Sequence, residues 1–308
     1  MKIYKEIIGT GEPMAIALGF FDGLHRGHQS VIKAAAAQKQ QGLTSTMLSF
    51  AKSPRSLLSE HDIPCLMTHE QKYELLDKLG VEVLYELDFE SVRDLSAEDF
   101  VAEVLCKQLK AKSLFCGFNY HFGKRGAGDE KRLRELGDKY EVSVYTLPPV
   151  LFEGSAISSS RIRESLKNGE IDKVTQMLGR YFSFNFEVSH GNRLGTKMET
   201  PTINQYFPES FILPKFGVYA TLVNIGGKTY PAVTNIGVKP TVGSERPLSE
   251  SWIISGDIGS TYGETVNVEL VEFLRPEMKF SGIPQLQAAI KSDGERAKNV
   301  FERMDIAL

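Results

Sequence analysis

Two histidines three residues apart, His25 and His28 in the segment Gly19–His28 (GFFDGLHRGH), are the first residues whose types and spacing could do chemistry. At the start of a helix they share one face. Backbone N–H groups there, with the positive end of the helix dipole, favour an anion, and two imidazoles add donors for phosphate oxygens. Gly19 ends the preceding strand, Asp22-Gly23 makes the turn, and Gly27 leaves room for a phosphate or a base to approach the backbone. The set suits stabilisation of a crowded α-phosphate during nucleotidyl transfer, which depends on charge neutralisation and positioning more than on a covalent nucleophile. A metal pair is the competing reading, but no carboxylate or third histidine stands at a zinc spacing. HExxH and the Walker A pattern are both absent.

A second motif, Ile157–Arg163 (ISSSRIR), supplies serine hydroxyls and guanidinium groups suited to phosphate. By itself it also reads as a capped helix start with surface arginines. Taken together, the two motifs resemble the nucleotidyltransferase superfamily.

The elements that must position these residues alternate in the first half. Ala15–Gly19 reads as a strand, His28–Gln41 as a helix, Leu43–Phe50 as a strand, Glu70–Leu79 as a helix and Val81–Leu87 as a strand. Ser96 caps a helix running to Leu109, and strands follow at Ser113–Gly117 and Val142–Leu147. That alternation predicts a parallel sheet with helices on both faces and ligands at the carboxyl ends of its strands.

Beyond residue 180 short β-type runs take over: Phe184–Ser189, Gly217–Ile225, Lys228–Ile236, Ser251–Ser255 and Thr265–Leu274. Gly226-Gly227 reads as a hairpin turn. These runs predict a small antiparallel barrel, followed by a helix over Pro284–Met304 whose Leu286, Ile290, Ala297 and Phe301 cover it. The boundary is expected near Leu178–Phe184, dividing the chain into 1–180 and 181–308. The fold expected is therefore α/β plus β.

Composition bounds the function. With 308 residues, 42% hydrophobic and 24% charged, the chain suits two globular domains. A net charge of −3 supplies no concentrated basic face for nucleic acid, which points to a small anionic ligand. No apolar run reaches bilayer-spanning length and no secretory signal stands at the N-terminus, so no membrane partner and a cytoplasmic location are expected. Cys65, Cys106 and Cys116 are odd in number without CxxC spacing and read as buried small hydrophobes, not as disulfide or zinc residues.

Further motifs narrow the resemblance. Gly117–Gly123 (GFNYHFG) with Gly126–Asp129 is similar to a segment of bacterial FAD synthetases, and Leu178-Gly179-Arg180 to the join between their domains. His190–Asn204 (HGNRLGTKMETPTIN), Gly217-Val218-Tyr219, Asn235–Thr241 (NIGVKPT), Tyr262-Gly263 and Phe273–Phe280 (FLRPEMKF) follow the riboflavin kinase pattern in order. On these motifs the chain is identified as a member of the prokaryotic bifunctional riboflavin kinase/FMN adenylyltransferase family. The resemblance implies an N-terminal Rossmann-like adenylyltransferase domain and a C-terminal riboflavin kinase barrel. Riboflavin is phosphorylated with ATP to FMN, and FMN receives AMP from a second ATP to give FAD and pyrophosphate, both with Mg²⁺.

Matched by position, the resemblance places His25 and His28 on the ATP phosphates as catalytic residues, with Gly19, Asp22, Gly27 and Asn119 around the nucleotide. Ser158, Ser159 and Arg161 close on the triphosphate. In the kinase half, Gly191 and Arg193 fall in the nucleotide-binding segment, Thr202 and Asn204 hold Mg²⁺, and Glu250 is the general base. The partners implied are ATP, riboflavin and FMN, with oligomeric state open. The sequence departs from the pattern at Phe20, at Lys52 and Ser53 in SFAKSP, at Phe186, and at Glu199-Thr200 before PTIN. Two other readings stay open: a chain that only makes FAD with a structural barrel, and a flavin-binding regulator without activity.

Overall fold

Five-residue apolar runs between turn formers give the first sheet its central strands. A computed structural model describes residues 1–53, 62–189, 202–238, 246–256, 258–259 and 261–306. By its contacts the chain divides into two units, Met1–Ile63 with His69–Ser159, and Pro64–Thr68 with Ser160–Leu308.

The first unit holds β1 (Lys2–Tyr4), β2 (Met14–Leu18), β3 (Thr44–Phe50), β4 (Val83–Leu87), β5 (Ala111–Gly117) and β6 (Ser143–Leu147). They pair in the order β1-β4-β3-β2-β5-β6, every pair parallel. The connecting helices are α1 (Arg26–Ala36), α2 (His69–Lys78), α3 (Ala97–Asp99, continuing as a wider π-type helix over Phe100–Gln108) and α4 (Glu130–Lys139). All residues of β2 (MAIAL) and β4 (VLYEL) are buried, as strands covered on both faces must be. Met14, Ile16, Leu18, Tyr85, Phe100 and Leu114 belong to the core beneath the site. Successive strands run β2, β3, β4 to one side and β5, β6 to the other, so the order reverses between β2 and β5. That switch point is where an open parallel sheet leaves a crevice for ligand.

After a short hairpin, β7 (Leu151–Phe152) and β8 (Ser155–Ala156), come α5 (Ser159–Asn168) and α6 (Ile171–Leu178). The second unit's strands are β9 (Phe182–Glu187), β10 (Thr202–Tyr206), β11 (Gly217–Ile225), β12 (Lys228–Val238), β13 (Pro247–Ile253) and β14 (Thr265–Pro276). They form one curled antiparallel sheet, β10-β13-β12-β11-β14-β9. Its edges meet where the Ser189 N–H donates to the Asn204 carbonyl at 2.8 Å. Gly226 and Gly227 both take positive φ, 55° and 80°, in the two-residue turn joining β11 to β12. Val218, Ala220, Val233 and Val271 on the sheet's outer face pack under Ala297, Val300 and Phe301 of α7 (Ile283–Arg303).

Four expectations shift. Helix α1 begins at Arg26 and tightens to a 3₁₀ turn after Ala36. The strand placed at Ser251–Ser255 lies at Pro247–Ile253. Leu286 and Ile290 are only half-buried, so the second half of α7 supplies the cover. Of the cysteines, Cys116 alone is fully buried; Cys65 and Cys106 are partly exposed. Among the described residues no helix is long and apolar enough to cross a membrane.

Candidate active sites

The chain leaves β2 through a loop whose backbone is held in an uncommon shape. Phe21 (φ 57°), Gly23 (φ 73°) and Leu24 (φ 42°) all lie at positive φ, which costs each side-chain-bearing residue about 1 kcal/mol. Burial offsets that cost, since Phe21 is 3% and Leu24 0% exposed. The Phe21 ring folds over Gly19, where a Cβ would stand 3.0 Å from it.

His25 then caps α1, its Nδ1 accepting from the His28 N–H at 3.3 Å. An accepting Nδ1 puts the proton of the neutral ring on Nε2. The His25 and His28 rings stack at 3.6 Å and 20°, and Phe21 meets His28 edge-on at 5.4 Å. A Cβ at Gly27 would approach the His25 ring to 3.2 Å. The glycine thus makes room for a side chain of its own loop, a reason the spacing alone did not disclose. Burial holds the His28 pKa well below 6.5, the charges of His25 and Lys72 act the same way, and a backbone hydrogen bond to Asp22 opposes them. His28 Nδ1 is buried with no hydrogen-bond partner among the described residues. An orphaned buried nitrogen of this kind calls for a ligand or water.

The second motif reaches this loop through Ser159, whose Oγ donates to the Asp22 carbonyl at 2.9 Å. Ser158 precedes α5 and is half-buried. Arg161 lies in the first turn of α5, in the second unit. Arg163 is engaged within that unit, its Nε donating to the Pro64 carbonyl at 2.9 Å. Asn119 is exposed just beyond β5, the strand paired with β2 up to Leu18 and Cys116. Its loop is tied by the Tyr120 N–H to the Gly117 carbonyl at 3.1 Å and by mutual bonds between Phe122 and Gly128. Gly19, Asp22, His25, Gly27, His28 and Ser159 are therefore gathered after β2, with Asn119 following the adjacent strand.

Sequence reasoning missed a buried polar group beside the loop. Lys72 on α2 is 8% exposed and Glu86 on β4 is 1% exposed. Glu86 accepts from Tyr73 Oη at 2.6 Å, contacts His69 Nδ1 at 3.2 Å and Lys72 Nζ at 3.4 Å, and pairs with Lys5. Burial works to raise the Glu86 pKa, but bonds from His69, Lys5 and Tyr73 and the charge of Lys72 outweigh it and hold the carboxyl far below its usual range. The available signal was a glutamate inside an otherwise apolar strand, VLYEL.

In the second unit, Asn204 on β10 pairs with Glu250 on β13, which pairs with Asn235 on β12. Paired residues point to one face, their Cβ atoms about 5 Å apart. Asn204 is 5% exposed. Its Nδ2 donates to the Thr202 carbonyl at 3.2 Å and to Thr202 Oγ1 at 3.4 Å. That leaves Oδ1 buried without a partner among the described residues. A free amide oxygen beside a carboxylate is a donor set suited to Mg²⁺, which binds few protein oxygens and completes its shell with water and phosphate. Among the described residues no group of three His, Cys, Asp or Glu gathers at metal-binding range. Phe186 is accommodated in an aromatic cluster, centroids 5.4 Å from Phe184, 5.3 Å from Phe207 and 5.0 Å from Phe211. Gly191, Arg193, Glu199 and Thr200 lie outside the described residues.

Comparison with known proteins matches both halves. Residues 8–161 match the FAD synthetase family model and residues 178–301 the riboflavin kinase model. Bifunctional riboflavin kinase/FMN adenylyltransferases from Listeria monocytogenes and Bacillus subtilis are each 32% identical to the chain over 94% of it and 93% of their own length. A crystal structure of a protein named macrolide-efflux protein, from Streptococcus pneumoniae, is similar with a TM-score of 0.87 at 30% identity, covering 96% of this chain and 98% of that one.

Proposed function

We propose, on the premise that this chain belongs to the bifunctional riboflavin kinase/FMN adenylyltransferase family, that its two reactions are divided between residues 1–180 and 181–308. The chain converts riboflavin to FMN with ATP and FMN to FAD with a second ATP, releasing pyrophosphate. Both transfers use Mg²⁺, which draws phosphate oxygens together and offsets their charge; Thr202 and Asn204 would hold it in the kinase half. The setting we assign to both reactions is the cytoplasm, where ATP is supplied.

In the first reaction the terminal ribityl hydroxyl attacks the γ-phosphorus. Glu250 accepts the hydroxyl proton, and the bond to the ADP oxygen breaks. Orientation matters more than basicity in so loose a transfer, and the pairing of Glu250 with Asn204 across the strands supports that role. Gly191 and Arg193 belong to the segment assigned to this ATP. In the second reaction an oxygen of the FMN phosphate attacks the α-phosphorus of ATP and pyrophosphate leaves. No proton transfer is needed, so the chain's task is to hold and neutralise oxygens. His25 Nε2–H and the first N–H groups of α1 serve the α-phosphate, and His28, its ring N–H already given to the Asp22 backbone, donates from Nδ1 once the bound anion draws a proton onto it. Gly19, Asp22, Gly27 and Asn119 border the nucleotide, and Ser158, Ser159 and Arg161 serve the triphosphate.

The observation that carries this assignment is the stacked His25–His28 pair at the start of α1, with His28 Nδ1 buried and unpartnered. The test is to incubate the chain with riboflavin, ATP and Mg²⁺ and separate riboflavin, FMN and FAD by chromatography. His28→Ala should stop FAD formation and leave FMN formation; Glu250→Ala should do the reverse when FMN is supplied. Loss of FMN formation in a folded His28→Ala chain would refute the two-site assignment.

A further inference from the structure

Lys72 is an ammonium group taken out of water with little to replace it. Among the described residues its Nζ meets Ser49 Oγ at 3.3 Å and Glu86 Oε1 at 3.4 Å. Both contacts exceed the usual range for N–H···O bonds, and an ammonium has three protons to place. Glu86 is better served by others, with Tyr73 at 2.6 Å, His69 at 3.2 Å and Lys5 in closer contact than Lys72. Lys5 and Lys72 thus share Glu86, with the Asp22 carboxylate adding its attraction at Lys72, the more buried of the two ammonium groups. Burying such a charge is costly unless an anion answers it.

Its position says which anion. Ser49 and Glu86 are the next-to-last residues of β3 and β4, so the Lys72 ammonium sits near the carboxyl edge of the sheet. Ser49 Oγ also donates to the Phe20 carbonyl at 2.8 Å, and Lys72 Nζ stands 6.0 Å from the centre of the Phe20 ring. The ammonium is electrostatically coupled to Asp22 and to His28. It thus approaches the His25–His28 loop from the β3–β4 side, whereas the switch-point crevice and Asn119 lie on the β5 side. A nucleotide in that crevice leaves the far side of the loop for the second reactant.

We propose that Lys72 binds the phosphate monoester of the acceptor in the adenylyltransferase site, held in place by Ser49 and Glu86. This rests on the adenylyltransferase assignment above and adds the group that fixes the attacking phosphate. The charge of Lys72 both orients that phosphate and offsets its repulsion from ATP.

The test compares Lys72→Met and Lys72→Arg with the unaltered full chain, varying FMN and ATP separately and following FAD formation. Riboflavin phosphorylation by the same chains and the thermal midpoint serve as controls. Lys72→Met should raise KM for FMN about 30-fold, the scale of a lost charge-assisted hydrogen bond, with KM for ATP nearly unchanged. Lys72→Arg should recover most of that loss. Equal losses for FMN and ATP would place the charge on the triphosphate and overturn the proposal. A lower thermal midpoint with unchanged KM for FMN would make Lys72 purely structural and overturn it too. Should Lys72→Met fail to fold, Lys72→Arg decides: its retained but displaced charge should raise KM for FMN alone by about threefold, and an unchanged KM refutes the role. An unaltered chain that makes no FAD would sink the adenylyltransferase assignment itself.

Discussion

His25 and His28 are three residues apart but carry their protons differently. His25 gives up Nδ1 to cap α1 and keeps a donor at Nε2, whereas the half-buried His28, its ring between those of Phe21 and His25, stays neutral well below pH 6.5. Folding therefore withholds a proton that the unfolded chain takes up near pH 6.5. Between the depressed folded pKa and that value the unfolded state binds more protons, so stability from this residue rises with pH and is lost as pH falls. Urea midpoints measured between pH 7.5 and 5 should fall more steeply in the unaltered chain than in His28→Gln. Identical slopes would show that His28 titrates normally. The histidines were legible because residue types and spacing carried the chemistry. Lys72 was not, since a lysine in HEQKYELLDK reads as a solvated helix position until Ser49 and Glu86, distant in sequence, close around it.

At the scale of elements, α1 turns a glycine into a constraint. Replacing Gly27 by Ala gains up to about 1 kcal/mol of helix propensity, and crowding the His25 ring at 3.2 Å puts at risk a cap of about the same value. The two effects nearly cancel in stability but not in function, because only the second moves a donor of the site. Gly27→Ala should keep its thermal midpoint within a few degrees and lower FAD formation about tenfold, with FMN formation unaltered; full adenylyl transfer would show that the ring tolerates the methyl group. The elements legible from the sequence were those long enough to display a period, such as β11 and α1. β1 and the β7–β8 pair, three and two residues long, show none. β10 (TINQY) escaped because its polar residues face both sides. Asn204 stands in one cross-strand row with Glu250 and Asn235, and Gln205 donates inward to the Phe186 and Val266 carbonyls at 2.6 and 2.8 Å. A strand polar on both faces lacks the alternation by which strands are found.

Across the whole molecule each unit has its own core, Met14, Leu18, Tyr85 and Phe100 in one and Val218, Val271, Val300 and Phe301 in the other. The contact border at Ser159–Ser160 puts α6 and all of α5 but its first residue in the second unit, while the family matches end at 161 and begin at 178. If the two reactions follow the two cores, damage to one core must remove one reaction. Phe301 is fully buried, and its loss to alanine costs about 3–5 kcal/mol, enough to unfold a domain of ordinary stability on mild heating. Asp293, bound through both oxygens to Arg275 at 2.8 and 2.6 Å, still fastens α7 to β14, so the variant should fold at low temperature. Warmed in steps, Phe301→Ala should stop phosphorylating riboflavin at a temperature where it still converts supplied FMN to FAD. Simultaneous loss of both reactions would mean that the cores do not melt separately, and the division of labour at residue 180 would lose its physical basis.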